Sequence, residues 1–305
     1  MSYFRPAIDA IAGYTPGEQP ADGRRVVKLN TNENPFPPSP RAIEAIREAA
    51  GDRLRLYPSP TADAFRREAA RLNGVGLDQT IAGNGSDDIL TIATRAFVPE
   101  GGAVGMPVPT YSLYETLAAL QGVRVEAYDF TDDYALPETL FGNALPLVFL
   151  ANPNAPSGPM ADLETVERLA RSMRGVLLLD EAYVDFAGAR NSATLLSNCP
   201  NLVISRTLSK SYSLAGLRAG YALASPEIVR GMMKVKDSYN VNRLTDAGAA
   251  AALADQTYLK ETVDRIVILR GHLSRQLSGL GFKVWPSRTN FVLARVPEGF
   301  APPAG

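Results

Sequence analysis

The chain has 305 residues, 46% hydrophobic and 21% charged, and its 31 basic against 32 acidic side chains leave a net charge of -1. Such a composition belongs to a globular chain long enough for two domains and a large core, and it excludes a disordered chain or a fibre. The near-neutral balance creates no field for nucleic acid or an anionic membrane, so neither is an expected partner.

In chain order, the opening MSYFRPAIDAIAGY lacks the basic and apolar regions of a secretory signal, and a lone cysteine, Cys199, closes no disulfide within the chain. A cytoplasmic protein is the expectation. SPRAIEAIREAAG predicts a helix capped by Ser39, with Pro40 at its first position and Gly51 past its end. TADAFRREAARLNG predicts a second helix. QTIAGNGSDDILTIATRAFV predicts a strand, a glycine turn and a helix with Ser86 as N-cap. Strands are expected next at AVGM, VRVEAYDF, LPLVFLAN, GVLLLDEAYV, NLVISRT and AGYALA, with helix-period segments such as DLETVERLARSM between them. This alternation is α/β, with a mostly parallel, buried central sheet.

After SPEIVRGMMKVKD the pattern changes. The stretch from Thr245 to Leu280 is alanine-rich and then helical at length, and FKVWPS and NFVLARV alternate like strands of a smaller α+β unit. The expected division is an N-terminal arm or small-domain segment over 1–38, a large domain over 39–240 and a small C-terminal domain over 241–305, without a low-complexity linker or a repeat. No apolar run approaches the roughly 18 residues of a membrane-spanning helix. The single histidine, His272, falls in a helical stretch where a structural or surface role is expected, and no metal site is expected.

In open α/β sheets chemistry gathers where strands end, and four such places carry polar side chains. In AGNGSDD, Gly85, Ser86 and Asp87 offer backbone N–H groups and a hydroxyl to an anion at a helix N-terminus, or form an ordinary capped turn. LANPNAPSG sets Asn152 and Asn154 after a strand, or is a proline-rich turn. LLLDEAY ends an apolar strand on Asp180, a carboxylate that must meet a cation or a donor, in a site or in a structural ion pair. RTLSKSYSLAGLRAGY places Lys210 after the strand NLVISRT. Burial lowers a lysine pKa and makes it a nucleophile towards an aldehyde, whereas a snorkelling lysine only packs its stem. A carboxylate for a cationic ring nitrogen, a lysine for an aldehyde, and Ser86, Thr207, Ser209 and Arg218 for a phosphate together match every end of pyridoxal phosphate.

LNTNENPFPPSP, AGNGSDD, PTYSLYE, NPNAPSG, DEAYVDF, RTLSKSYSLAGLRAGY, YNVNRLT and PSRTNFVL resemble, in order over nearly the whole chain, the motifs of fold type I pyridoxal-phosphate aminotransferases, closest to the histidinol-phosphate aminotransferases. The resemblance implies that Lys210 attaches to the cofactor aldehyde, Asp180 pairs with the pyridinium nitrogen, Tyr183 hydrogen-bonds the 3-oxygen and Tyr111 stacks on the ring. It implies a phosphate cup of Gly85, Ser86, Thr207, Ser209 and Arg218, completed by Tyr57 from a second subunit of a homodimer. Tyr14 and Asn32 then lie where this family approaches its substrate, alongside Tyr111.

Two departures stand out. The family's asparagine before Pro-Thr/Ser-Gly is Ala155 here, so Asn154 is the expected substitute. The family's small domain continues past this end into a strand whose arginine grips the substrate's acidic group. The small domain is therefore expected to be incomplete, with cofactor binding outlasting turnover unless Arg243, Arg288 or Arg295 grips instead. The implied reaction transfers the amino group of L-histidinol phosphate to 2-oxoglutarate, in histidine biosynthesis. Threonine-phosphate decarboxylation, aromatic amino-acid transamination, and a cofactor-binding regulator or inactive homologue are the alternatives.

Overall fold

The apolar runs become strands because their residues are buried on both faces. The computed structural model describes residues 2–11, 27–188 and 190–300. Its main sheet contains β1 (Thr80–Asn84), β2 (Ala103–Val108), β3 (Arg124–Asp129), β4 (Leu147–Ala151), β5 (Val176–Asp180), β6 (Leu202–Thr207) and β7 (Ala219–Ala224). The strand order is β1-β7-β6-β5-β4-β2-β3. Every pair is parallel except those of β7, which runs antiparallel to both β1 and β6.

Alternation along each strand builds two cores, one on each face. Val148, Leu150, Leu177, Leu179 and Ile204 enter one, and Leu147, Phe149, Leu178 and Val203 enter the other. A short α1 (Pro6–Asp9) precedes α2 (Pro40–Ala49), α3 (Asp63–Asn73), α4 (Ser86–Phe97), α5 (Leu113–Gln121), α6 (Leu163–Ser172), α7 (Pro226–Val235), α8 (Arg243–Ala254) and α9 (Gln256–Gly279). Helices α2, α3, α6 and α8 feed the first core, whereas α4, α5 and α7 feed the second. Ser39 accepts from the Arg41 N–H, and Pro40 opens α2, as expected of that cap.

The predicted cap of α4 falls one residue early. Gly85, at φ 87°, is the N-cap and Ser86 is the first helical residue, with no side-chain capping bond. Asp88 instead ties the turn to β1, its carboxylate accepting the Asn84 N–H at 2.9 Å. This leaves the Ser86 hydroxyl free of the cap.

The run from Thr245 to Leu280 is two helices rather than one continuous stretch, divided at Asp255, whose Oδ2 accepts from Ser39 Oγ at 2.5 Å. Ala249, Ala252 and Leu253 of α8 join Ala42 and Phe65 in the first core. The core of the large sheet unit therefore continues beyond residue 240.

Among the described residues of the small unit, β8 (Lys283–Val284) pairs with β9 (Ala294–Arg295) and no other strand does. The strand expected over NFVLARV is shorter because Ser287 and Thr289 hydroxyls take the Phe291 carbonyl, at 2.5 and 3.1 Å, in place of a ladder partner. Among the described residues no helix is long and apolar enough to cross a membrane.

Candidate active site

Reversal of β7 positions the site. The carboxyl ends of β1, β4, β5 and β6 lie at one edge, and the start of the antiparallel β7 joins them there, with Asn84 opposite Ala219 and Thr207 opposite Gly220. Arg218, just before β7, is thereby carried to the same edge as Ser86, Thr207 and Asp180. Its φ of 54° is unusual for a residue with a side chain, a strain that clusters at functional positions.

A cleft of about 380 Å³ opens at this edge, lined by Ser86, Asp87, Tyr111, Asp180, Tyr183, Thr207, Ser209, Lys210 and Arg218, together with Tyr114 and the arm residues Thr31 and Glu33. Most of the sequence-predicted residues are therefore neighbours in space.

One end of the cleft is an anion cradle. Arg218 donates to Ser209 Oγ at 3.4 Å and pairs with Asp87 at 3.0 Å, and the Thr207 and Ser209 hydroxyls bond each other at 3.0 Å. Glycine is required twice, at Gly85 by its φ of 87° and at Gly220 by close approach of backbone. A Cβ on Gly85 would stand 2.5 Å from the Arg218 guanidinium, and one on Gly220 would stand 2.3 Å from Ser86 N. Gly220→Ala must push β7 off the α4 turn, because backbone atoms cannot rotate away. It is expected to cost about 1 to 3 kcal/mol in urea unfolding, and an unchanged midpoint would show that the contact relaxes freely.

At the other end Asp180 is 4% exposed. Its Oδ2 accepts from Tyr114 Oη at 2.8 Å and its Oδ1 from the Ala182 N–H at 3.2 Å. Burial pushes its pKa up to about 6, against the pull of those two donors. Among the described residues no cation forms an ion pair with it. By contrast, the adjacent Glu181 is paired with Arg206 at 2.8 Å and accepts from Ser192, a buried brace between β5 and β6.

Lys210 lies between these ends, its Nζ donating to the Thr31 carbonyl at 3.0 Å and standing 5.9 Å from the Tyr183 ring centre. Burial lowers its pKa, opposed by Asp87 and Glu33. Asn34 clamps the lysine loop by donating to the Lys210 and Ser211 carbonyls at 2.9 and 3.2 Å. Asn32 donates to Tyr183 Oη at 3.3 Å and to Asn290 at 2.8 Å, tying the arm and the small unit to the cleft. Burial raises the Tyr183 phenol, with the Asn32 amide acting the other way, so Tyr183 stays a protonated donor. Tyr111 crosses the mouth, its edge packed against Tyr114 at 5.6 Å.

Several expected residues are elsewhere. Asn154 turns away: its buried amide donates to the Pro109 carbonyl at 3.1 Å and Ser157 Oγ at 2.7 Å, since buried donors take the nearest acceptors, while Ala155 faces the cleft. Tyr57 is 78% exposed and stacks on Tyr239 at 4.6 Å in a separate cleft. Tyr14 lies outside the described residues. Arg243 donates to the Tyr57 carbonyl, Arg295 packs over Trp285, and Arg288 lines a groove beside Arg270, so none of the three lines this cleft. Tyr114, Thr31, Glu33 and Asn34 were not singled out by the sequence. Its place three residues after Tyr111, in the first turn of α5, was the one available signal for Tyr114.

A mostly parallel sheet with a lysine, a buried carboxylate and an anion cradle at one edge is the arrangement of the fold type I aminotransferases. Residues 24–299 match the family described as Aminotransferase class I and II, and the chain belongs to it. It is 43% identical to histidinol-phosphate aminotransferase 1 of Trichormus variabilis and 46% identical to histidinol-phosphate aminotransferase of Syntrophotalea carbinolica, in each case over 98% of this chain and 86% of the relative. Among solved structures, histidinol-phosphate aminotransferase of Sinorhizobium meliloti in complex with pyridoxal-5'-phosphate superposes with a TM-score of 0.84 at 32% identity, over 96% of this chain and 82% of that one.

Proposed function

We propose that the chain is a pyridoxal 5'-phosphate-dependent aminotransferase that converts L-histidinol phosphate and 2-oxoglutarate to imidazole-acetol phosphate and L-glutamate, in histidine biosynthesis. The observation that carries the substrate is identity of 43 to 46% along 98% of the chain to relatives of that name. The cofactor rests on the site itself. Its cradle of hydroxyls, helix N-terminus and arginine suits a phosphate, and among the described residues Asp180 has no cation paired to it and Lys210 donates to a backbone carbonyl.

When bound, the cofactor supplies an aldehyde for the amino group and a cationic ring that withdraws electrons from the substrate α-carbon. Ser86, Thr207, Ser209 and Arg218 hold its phosphate, with Gly85 and Asp87 shaping the turn. Asp180 keeps the proton on the ring nitrogen, Tyr183 donates to the 3-oxygen and Tyr111 covers the ring. Lys210 first anchors the aldehyde. Its Nζ, whose pKa burial lowers, would then be the group placed to move the proton at the substrate α-carbon. Thr31, Asn32 and Glu33 close the substrate side against water. The test is glutamate formation by protein loaded with pyridoxal phosphate, with L-histidinol phosphate, L-threonine phosphate and aromatic amino acids as competing amines. Histidinol phosphate is expected to give the highest kcat/KM by more than about tenfold, and release of carbon dioxide from threonine phosphate would overturn the reading.

The same reading makes the protein a cytoplasmic homodimer that acts on small molecules. It sends the exposed Tyr57 to the partner's phosphate cup, with Tyr14 and Asn32 beside the substrate. Mixed Tyr57→Phe and Lys210→Ala chains, under subunit exchange, are expected to recover activity that neither has alone; no gain would count against a shared site. The large domain is proposed to extend through α8, since its core does, leaving the arm and the residues after Ala254 to the small domain.

A further inference from the structure

Tyr114 is a side chain that the reaction described above leaves unused. It is 0% exposed, and its ring lies flat on Phe149 of β4 at 4.6 Å and 7° and meets Tyr111 edge-on, so it has no freedom to turn. Its one polar atom points at Asp180, with Oη donating to Oδ2 at 2.8 Å.

We propose that Tyr114 is a positioning residue for the reaction, whose fixed phenol holds Asp180 in the ionised form and orientation that keep a proton on the cofactor's ring nitrogen. This rests on the cofactor reading given above.

The chemistry selects a neutral donor at this point. A lysine or arginine against Asp180 would satisfy the carboxylate and leave it little attraction for the ring, whereas an acceptor would force a proton onto it. A phenol O–H stabilises the anion and leaves its charge for the ligand. Burial, and Asp180 itself, hold the Tyr114 phenol well above its usual range, so it donates over the whole working pH range. Around Asp180 the other charges do not substitute for it. Asp87 on α4 and the adjacent Glu181 raise the Asp180 pKa, and the Ala182 N–H is the second donor that lowers it. Lys210 and Arg218 line the same cleft without an ion pair to Asp180, and Tyr111 and Tyr183 are neutral phenols there. Loss of the Tyr114 hydroxyl therefore removes one of two groups that favour the carboxylate, and the shared proton shifts from the ring towards Asp180.

The test loads wild-type, Tyr114→Phe and site-specifically 3-fluorotyrosine-substituted protein with pyridoxal phosphate labelled with ¹⁵N in the ring, and follows the ring-nitrogen signal between pH 6 and 9. The wild type is expected to show a pyridinium signal throughout. Tyr114→Phe should move it towards the unprotonated position, with pyridoxal-phosphate affinity lowered about tenfold and kcat lowered more than KM is raised. The fluorinated ring, a donor of nearly the same shape, should keep the pyridinium signal that Tyr114→Phe loses. Retention by a ring that keeps the hydroxyl ties the shift to the hydrogen bond rather than to lost packing. An unchanged ring signal in Tyr114→Phe, even with lower activity, would overturn the proposal. A wild type that binds no pyridoxal phosphate would instead overturn the cofactor reading and the proposal with it, and is seen before any variant is made.

Discussion

Lys210→Ala is expected to lower transamination by at least about 10⁴-fold, the upper reach of a positioned general base alone, because the same amine also anchors the aldehyde. The variant keeps Ser86, Thr207, Ser209 and Arg218, so it should still take up pyridoxal phosphate through the phosphate cradle. It should also fold, since the change removes an ammonium that burial already penalises and whose bond is to the Thr31 carbonyl. Activity, cofactor content by absorbance and urea unfolding are measured on one preparation. Retained turnover would assign the proton transfer to another base, and loss of both cofactor and fold would show Lys210 to be structural.

Asp180→Asn is expected to move stability and activity in opposite directions. The folded carboxyl has its pKa pushed up to about 6 from 3.8, chiefly by burial. The protonated group thus contributes stability that is fully present below pH 3.8 and is lost as the pH rises through 6. Above that, the ionised carboxylate costs the unliganded fold about 3 kcal/mol, at roughly 1.4 kcal/mol per pKa unit. An amide of the same shape carries no such cost. The unliganded variant should therefore match wild type near pH 4 and exceed it by up to about 3 kcal/mol at pH 8 in urea unfolding. Its pyridoxal-phosphate affinity should fall about ten- to a hundredfold, the size of a lost charge-assisted contact, and its turnover by at least as much. A variant less stable than wild type at pH 8 would mean that Asp180 is held by a cation after all.

Much of this was legible before any coordinates. Asp180 directly follows the apolar run VLLL, and Thr207 and Lys210 come a few residues after LVI, where a strand buried on both faces delivers its polar residues to the sheet edge. Arg218 was legible only as a motif member: that it shares the edge depends on β7 running against its neighbours, which periodicity does not encode. Cross-strand partners were equally hidden. Glu181 and Arg206 lie in separate segments, and only the register of β5 against β6 brings them together. Tyr114 reads as one more apolar position on a helix until the turn of α5 aims its hydroxyl at Asp180. Where the Asn154 amide points was not legible either, because a buried amide bonds the acceptors its own loop supplies. The helix cap falls on Gly85 rather than Ser86 because the turn needs a left-handed φ of 87° there, which only the glycine adopts without strain.

The central claim is that Lys210 anchors the cofactor. It is tested most directly by borohydride reduction of the protein loaded with pyridoxal phosphate, followed by trypsin digestion and mass spectrometry. Cleavage after Arg206 and Arg218, with the modified lysine resisting trypsin, should yield the peptide Thr207–Arg218 carrying a single reduced pyridoxyl phosphate group. A label spread over surface lysines such as Lys234, Lys260 and Lys283, with the Lys210 peptide unmodified, would contradict the account.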